Sequence, residues 1–581
     1  MAGCYHRPRV RAQLLFRRFV YLLAWGALIW AVVAASTGGV GWFVGPLRIS
    51  SRQPLRPLLV GIAAAVLYVW TYSRAERSDD GRWLTGLVRR AAPMFAVAIV
   101  AAGLTVGISC GSFAAAGSDS YGYVSQARLW LEGTPRLEQP FVEQFSWPNR
   151  EWVFAPLGYR PFSITGTIVP TYPPGLPLVM AGFLAVFGSD GPFIVVPVFA
   201  AFALWFTYLL GRHVTGSSTA AAGAALILLA SPVFLTHVML PMSDVPAAAG
   251  WTLVSLLALK QRPLAAGLVA GATLLIRPNL VLLAAAPIAA WRHPSFAMLK
   301  HYALGLAPGL ATVAVLNTFL YGSPLTSGYG PLLDGYEWRA AWPNVRNYAA
   351  WLLKTETPLV ALAALPLLRA EVLRDSHPNI AARRTLGALL ALTLVSYAFY
   401  GVFNHWFYLR FLLPALPALF VLWAAAVRFI CLKLPHEARV PAAAVLCAVV
   451  VLAGIKTGRE EGIFRQREYE QRHIRAAELV AASTPPAAAI IALQHSGSVR
   501  YYADRITLRY DWLSEKHLDA AIRDLQQKGY HPFAVVDDWE ENDIRNRFGA
   551  HNRAGRLDWP PLARVKGNPE VRVYDLQGRA E

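Results

Sequence analysis

The run AAPMFAVAIVAAGLTVGISCGSFAAAGSDSYGYVSQAR, Ala91 to Arg128, decides how this chain is read. Residues 91–113 carry no charge and are long enough to cross a bilayer, which takes about 20 apolar residues. The apolar run stops, and within six residues an aspartate, Asp119, stands at the membrane boundary ahead of Tyr121, Tyr123 and a helix-like continuation to Leu131. Two readings of Asp119 are open at this level. Ser118-Asp119 is an acceptable helix N-cap, because short acidic and hydroxyl side chains satisfy the free N–H groups of a first turn. A carboxylate at that depth is equally placed to act on lipid head groups.

The rest of the chain repeats the pattern. Of its 581 residues, 55% are hydrophobic and 15% charged, and the apolar residues gather into runs separated by short basic or Gly/Pro punctuation. This is the composition of a polytopic α-helical membrane protein. The net charge of +19 comes from arginines concentrated in short loops, which marks cytoplasmic loops and anionic lipid rather than nucleic acid as the partner. Four cysteines without pairing spacing imply neither a disulfide framework nor a thiolate metal site. The arginine-rich amino terminus ahead of Phe19 to Ala35 has no convincing cleavage site and reads as an uncleaved first span.

Alternation of runs and basic loops predicts about thirteen spans. With the amino terminus inside, the basic segment Ser73 to Arg90 is also inside and Asp119 falls on the outer face. The segment Leu176 to Phe187 is short for a span and reads as interfacial, its helix starting no earlier than Leu178 because of the preceding prolines. The same parity places Ser243-Asp244 on the outer face. Arg277-Pro278-Asn279 forms the turn of a membrane hairpin whose return is marked by Trp291, Arg292 and His293. His405 and Arg410 share the depth of Asp119 and Asp244. Two long outer loops, 114–172 and 317–357, are too long to be simple connectors and are expected to carry function.

Three units follow: residues 1–90, two spans outside the main body; residues 91–456, the transmembrane body; and residues 457–581, with soluble composition. In the last, Ala488 to Leu493, Phe533 to Asp537 and Val571 to Tyr574 read as strands and Glu515 to Gly529 as an amphipathic helix, which predicts a small α/β domain on the outer face. No internal repeat, Walker loop or GxGxxG is present.

Sugar transfer from a lipid phosphate needs a base, cationic groups for the departing phosphate and an interfacial slot for the lipid. Asp119 fits the base, and Asp244 fits an assisting carboxylate or metal ligand. Arg277 and Arg410 fit phosphate because a guanidinium donates two bonds at once. For Arg410, a snorkelling residue at a span boundary is the competing reading. An outer-face Asp followed by Tyr (Asp119, Tyr121), Tyr-Pro-Pro-Gly-x-Pro-Leu (Tyr172 to Leu178), Ser-Asp-Val-Pro (Ser243 to Pro246), Arg277-Pro278, Tyr-Gly-Ser-Pro-Leu (Tyr321 to Leu325) and Arg-Phe-Leu-Leu-Pro (Arg410 to Pro414) occur in order on one face. This set resembles bacterial integral-membrane glycosyltransferases of the GT-C class, in the group related to protein O-mannosyltransferases and the lipid A aminoarabinose transferase.

The resemblance covers about Ala91 to Arg428. It implies an inverting transferase in the bacterial inner membrane, with a polyprenyl-phosphate sugar as donor, a cell-envelope lipid, glycan or protein as acceptor, and a periplasmic active face. It gives Asp119 the role of catalytic aspartate in the first outer loop; beside it, Asp244 is the second catalytic candidate, and Tyr123, Tyr172, Arg277, Tyr329, His405 and Arg410 are the candidate substrate contacts. Two departures bear on chemistry. Asp119-Ser120 stands where many relatives have an acidic pair, which leaves open whether a divalent cation is held by Asp119 and Asp244. Tyr172 stands where the aminoarabinose transferase has a phosphate-contacting lysine. A lipid or polysaccharide transporter is the alternative from another class; repeats and ionisable groups near the bilayer midplane would mark it, whereas here the candidates gather at one interface.

Overall fold

The computed structural model describes residues 6–44, 47–162, 166–291, 294–331, 334–373 and 379–580; Arg292 and His293, read above as a return to the inside, lie outside them. The chain is a polytopic, mostly helical membrane protein. Among the described residues, seven helices are long and apolar enough to cross a membrane, or nine if each of two bent pairs counts as one span. Four shorter apolar helices, Leu55–Thr71, Asp244–Leu259, Pro263–Ile276 and Pro278–Ala290, pack among them.

The helix Gly191–Thr215 sits at the centre and touches Arg74–Cys110, Ser218–Ala230, Asp244–Leu259 and Leu416–Leu432. Where two helices must approach closely, the sequence supplies glycine. Pro263–Ile276 and Phe296–Tyr321 cross through Gly267, Gly271, Gly305 and Gly309, and a Cβ on Gly267 or Gly305 would meet the facing backbone at 2.2 or 2.3 Å. Lipid tails supply no hydrophobic drive between helices, so this backbone-to-backbone packing is what joins them.

The first two apolar helices dock through a buried carboxylate. Asp80, 0% exposed, accepts hydrogen bonds from Arg17 Nε at 2.9 Å and Tyr68 Oη at 2.9 Å, while the Tyr21 hydroxyl donates to the Glu437 carbonyl at 2.7 Å. Asp80 belongs to the helix Arg74–Cys110, so the basic segment Ser73 to Arg90 is not a loop but the helical extension of the span that follows.

Other elements differ from the sequence expectation for local reasons. The helix after the proline cluster begins at Gly175, not Leu178, because Pro174 occupies the N-cap and Pro177 lies in the first turn, where a missing N–H costs nothing. The run Thr219 to Val238 is two helices, Ser218–Ala230 and Pro232–Val238, bent by 67° where Ser231 caps the second and Pro232 cannot continue the first. The second outer loop is half helix. Ala341–Glu356 is helical, and it turns by 112° into the 3-10 and helical segment Pro358–Leu368. The first outer loop holds the helix Asp119–Glu132 and a three-stranded sheet of Leu137–Glu138, Thr167–Pro170 and Tyr159–Pro161, with Thr167–Pro170 central.

Residues 472–580 form a five-stranded sheet in the order Ala563–Val565, Val571–Asp575, His531–Asp537, Ala488–Ile491, Ile506–Leu508. Its last three strands run parallel and the first two antiparallel. Val571–Asp575 therefore lies inside the sheet, and the amphipathic helix is Leu518–Gln527, shorter than the expected Glu515 to Gly529.

Candidate functional site

Asp119 does not cap its helix. Ser118 is the N-cap residue, without a side-chain cap bond, and both side chains turn to a partner outside the helix. Asp119 Oδ1 accepts from the Tyr172 hydroxyl at 2.5 Å and Oδ2 accepts from Arg410 Nη1 at 2.8 Å. Because Tyr172 donates to Asp119, the bond of 2.8 Å between Ser118 Oγ and Tyr172 Oη has serine as donor. Burial, reinforced by the Asp119 charge, pushes the Tyr172 phenol well above its ordinary value, so it stays protonated and remains a donor.

Sequence explains the approach. Gly122 faces Tyr172, and a Cβ there would lie 2.3 Å from its ring. The Tyr123 ring packs on Tyr172 with centroids 4.6 Å apart, and its hydroxyl donates to Ser243 Oγ at 2.8 Å. Ser243 precedes the second acid. Asp244 is 2% exposed and forms an ion pair with Arg277, itself 8% exposed. Arg277 Nε also donates to the Tyr397 hydroxyl at 2.9 Å, which receives a second bond from Asn279 Nδ2 at 3.1 Å. An arginine at this depth is tolerable because it is matched by a carboxylate and a phenol.

Arg410 lies in the 3-10 segment Trp406–Ala415, whose repeat of three residues per turn sets Phe407 and Arg410 on one side. Its guanidinium carbon is 4.9 Å from the Phe407 ring centre and 5.5 Å from that of Phe411. The Nη1 that binds Asp119 also reaches Met242 Sδ at 3.6 Å, and Nε has no protein partner. The snorkelling reading of Arg410 does not describe this geometry, since the side chain turns to a carboxylate and is mostly covered.

Seven of the eight sequence-chosen residues fall in this region. Tyr329, half-exposed on the turn between Thr326–Ser327 and Gly330–Pro331, sets its ring edge-on to Tyr172 at 6.0 Å. His405 does not join them: it is exposed, and its Nδ1 accepts from the Phe407 N–H at 3.2 Å, a local cap. Sequence reasoning missed Tyr397, Asn279 and His237. His237 is fully buried on the kinked helix Pro232–Val238, with Nδ1 bonded to the Val233 carbonyl at 2.7 Å and its ring 4.7 Å from that of Phe407. Its Nε2 has no partner. An imidazole alone in an apolar run was the available signal.

A divalent cation does not suit Asp119 and Asp244. Each carboxylate already faces a guanidinium, and a metal there would sit among two positive charges. Among the described residues, the side chains grouped closely enough for a cation are His495, Asp537 and Glu540, far along the sequence, and their carboxylates are taken by Arg472 and by backbone N–H groups.

The helical frame has a GT-C-like fold. It is similar to ArnT from Cupriavidus metallidurans bound to undecaprenyl phosphate, with a TM-score of 0.53 and 14% identity over 83% of this chain and 98% of that one. The apo state of the same protein gives 0.52 and 15% over the same shares. The archaeal oligosaccharyltransferase AglB from Archaeoglobus fulgidus, in complex with an inhibitory peptide and a dolichol-phosphate, aligns at 0.49 and 12% over 84% and 74%. No protein-family model and no curated protein matches the sequence.

Proposed function

We propose that this protein is a glycosyltransferase that moves a sugar from a polyprenyl-phosphate donor to a lipid, glycan or protein acceptor of the cell envelope. It works at the periplasmic face of the bacterial inner membrane. The observation that carries the reading is the engagement of Asp119: a carboxylate at the membrane boundary is held by a phenol and a guanidinium instead of serving its own helix.

The arrangement suits an exchange of partners. Donor phosphate takes Arg410, which detaches from Asp119 and offers its planar fork to two phosphate oxygens. The freed carboxylate accepts the proton of the acceptor hydroxyl as that oxygen bonds to the anomeric carbon. The bond from that carbon to phosphate oxygen breaks, its electron pair leaves on the phosphate, and attack from the opposite side inverts the centre. Tyr172 keeps Asp119 oriented throughout. Arg277 and Asp244 act one layer behind: their mutual pairing holds Ser243, and through it Tyr123, against Tyr172.

We take the seven long helices, the two bent pairs and the four short apolar helices together as the thirteen crossings of the topology. Residues 457–581 are then a periplasmic α/β domain, residues 91–456 the catalytic body and residues 1–90 an addition to it. The test is incubation of purified protein with radiolabelled polyprenyl-phosphate sugars and envelope extract. Transfer, or release of free sugar, identifies the donor; inertness towards every polyprenyl-phosphate sugar in a protein that binds no polyprenyl phosphate overturns the proposal.

A further inference from the structure

The carboxy-terminal sheet does not hang free of the membrane body. Its short helix Ser496–Ala503 lies directly against the Asp119 helix. The Leu157 N–H donates to Ser496 Oγ at 3.1 Å, the Ala115 N–H donates to the Tyr502 hydroxyl at 2.9 Å, and Arg500 donates to Gln139 Oε1 at 2.8 Å and the Phe154 carbonyl at 3.0 Å. Ala115 lies just before Asp119, and Leu157 precedes Gly158, whose φ of +86° carries the chain close under Ser118.

The tightest contact is Gly497 on Tyr121. A Cβ at 497 would lie 2.2 Å from Tyr121 Cδ1. A glycine inside a helix costs about 1 kcal/mol relative to alanine, so its use here answers to space. Tyr121 is 2% exposed and stands two residues from Asp119 in the first turn of that helix. Its neighbour Gly122 packs on Tyr172, so the first turn is gripped from both sides.

The helix that presses on Tyr121 is itself tied to the sheet. His495, its N-cap residue, bonds through Nε2 to Asp537 Oδ1 at 3.0 Å, at the end of the central strand. Arg472 donates to the other Asp537 oxygen at 3.1 Å, and Glu540 accepts from the Gln494 N–H at 3.1 Å. Burial opposes ionisation of Asp537, yet His495 and Arg472 hold its carboxyl well below the usual carboxylate range. The His-Ser-Gly run at 495–497 thus has its histidine turned to Asp537 while Ser496 turns to Leu157 and the Leu493 carbonyl, which is an anchor and not a nucleophile with its base.

We infer that the carboxy-terminal unit is a positioning element for the reaction: Gly497, anchored through His495 and Asp537, sets Tyr121 and so the first turn that carries Asp119. The inference rests on Asp119 as the base, and it makes the unit part of the active-site frame. A methyl at 497 forces the Tyr121 ring back by more than about 1 Å, given carbon contacts of about 3.5 Å. A displacement of that order at a reacting group costs up to about 100-fold in rate.

The test uses the full chain in nanodiscs. Gly497→Ala is expected to lower kcat at least about tenfold with undecaprenyl-phosphate affinity unchanged, and to speed amide exchange in residues 119–125 while the other helices keep their protection. Tyr121→Ala makes room for the methyl, so Gly497→Ala in that background is expected to cost nothing further. A Gly497→Ala protein with wild-type kcat and wild-type exchange, or a double variant slowed by the full extra factor, overturns the inference. If Gly497→Ala does not fold, Tyr502→Phe and Ser496→Ala carry the test: each is expected to lower kcat several-fold without loss of donor binding, and unchanged kcat in both overturns it. Failure of the underlying reading is separate, because it shows as normal transfer by Asp119→Asn while the exchange readout still reports whether residue 497 controls the helix.

Discussion

Replacing Asp119 by Asn should separate catalysis from donor binding in opposite directions. The amide keeps the shape and still accepts one bond, but it is no base, so transfer should fall by about 10²- to 10⁴-fold, the usual contribution of general base catalysis. Binding of the lipid phosphate should not fall with it. In the resting protein Arg410 is paired with Asp119 at 2.8 Å, the two side chains being 13% and 28% exposed, and that pair must open before phosphate can take the guanidinium. A partly exposed pair is worth about 1 kcal/mol after solvent screening, so Asp119→Asn should bind undecaprenyl phosphate up to about fivefold more tightly than wild type. Arg410→Lys should do the reverse: the charge stays, the two-pronged geometry goes, and donor affinity falls by about tenfold with a smaller effect at saturating donor. The assays are sugar transfer and undecaprenyl-phosphate binding on the same folded preparations. Transfer by Asp119→Asn within about threefold of wild type would refute Asp119 as base, and weaker phosphate binding by that variant would refute the exchange of partners.

Three further outcomes are expected. Chelation by EDTA should leave transfer intact, since Asp119 and Asp244 are each committed to arginine; full loss restored by a divalent cation would mean that the pairs open to a metal. Single cysteines at the exposed positions Ser146 and Ser514 should both react with an impermeant maleimide from the periplasmic side, and labelling of only one would break the topology. Asp537→Asn should destabilise the protein at neutral pH by up to about 3–5 kcal/mol, the cost of removing one partner of a buried pair. The folded-state carboxyl of Asp537 is depressed, so its contribution is present above the unfolded value of about 3.9 and is lost as pH falls below it. Thermal unfolding of wild type should therefore weaken below about pH 4 more steeply than that of Asp537→Asn.

What was legible followed from one-dimensional signals. Apolar run length marked the chain as polytopic, and the common face read from arginine placement let Asp119, Asp244, Arg277 and Arg410, separated by up to 291 positions, be grouped before any contact was known. The pairing within that group was not legible. Charge alone does not say that Arg410 goes to Asp119 and Arg277 to Asp244, because that choice is made by Gly122, which admits Tyr172, and by the 3-10 winding that turns Arg410 inward. Tyr397 and Asn279 escaped for the same reason, being ordinary in their own segments and significant only through Arg277.

The greater gap concerns the carboxy-terminal unit, in which three of five strands were legible from their apolar runs, Ile506–Leu508 and Ala563–Val565 were not, and the role was not. A unit of soluble composition that shows no catalytic arrangement in its sequence reads as an accessory. The contact that argues otherwise is carried by a glycine, a residue whose function here is to have no side chain. Gly497 sits against Tyr121, and polar bonds on either side of it tie its helix in place: Asp537 holds His495, Glu540 holds the Gln494 backbone, and Arg500 reaches Gln139 and the Phe154 carbonyl. The membrane body fixes the other side of the same helix through Tyr172 and Tyr123. Asp119, the base in the proposed reaction, thus has its position set jointly by two parts of the chain more than 350 residues apart in sequence. Such a requirement leaves no trace in either part read alone.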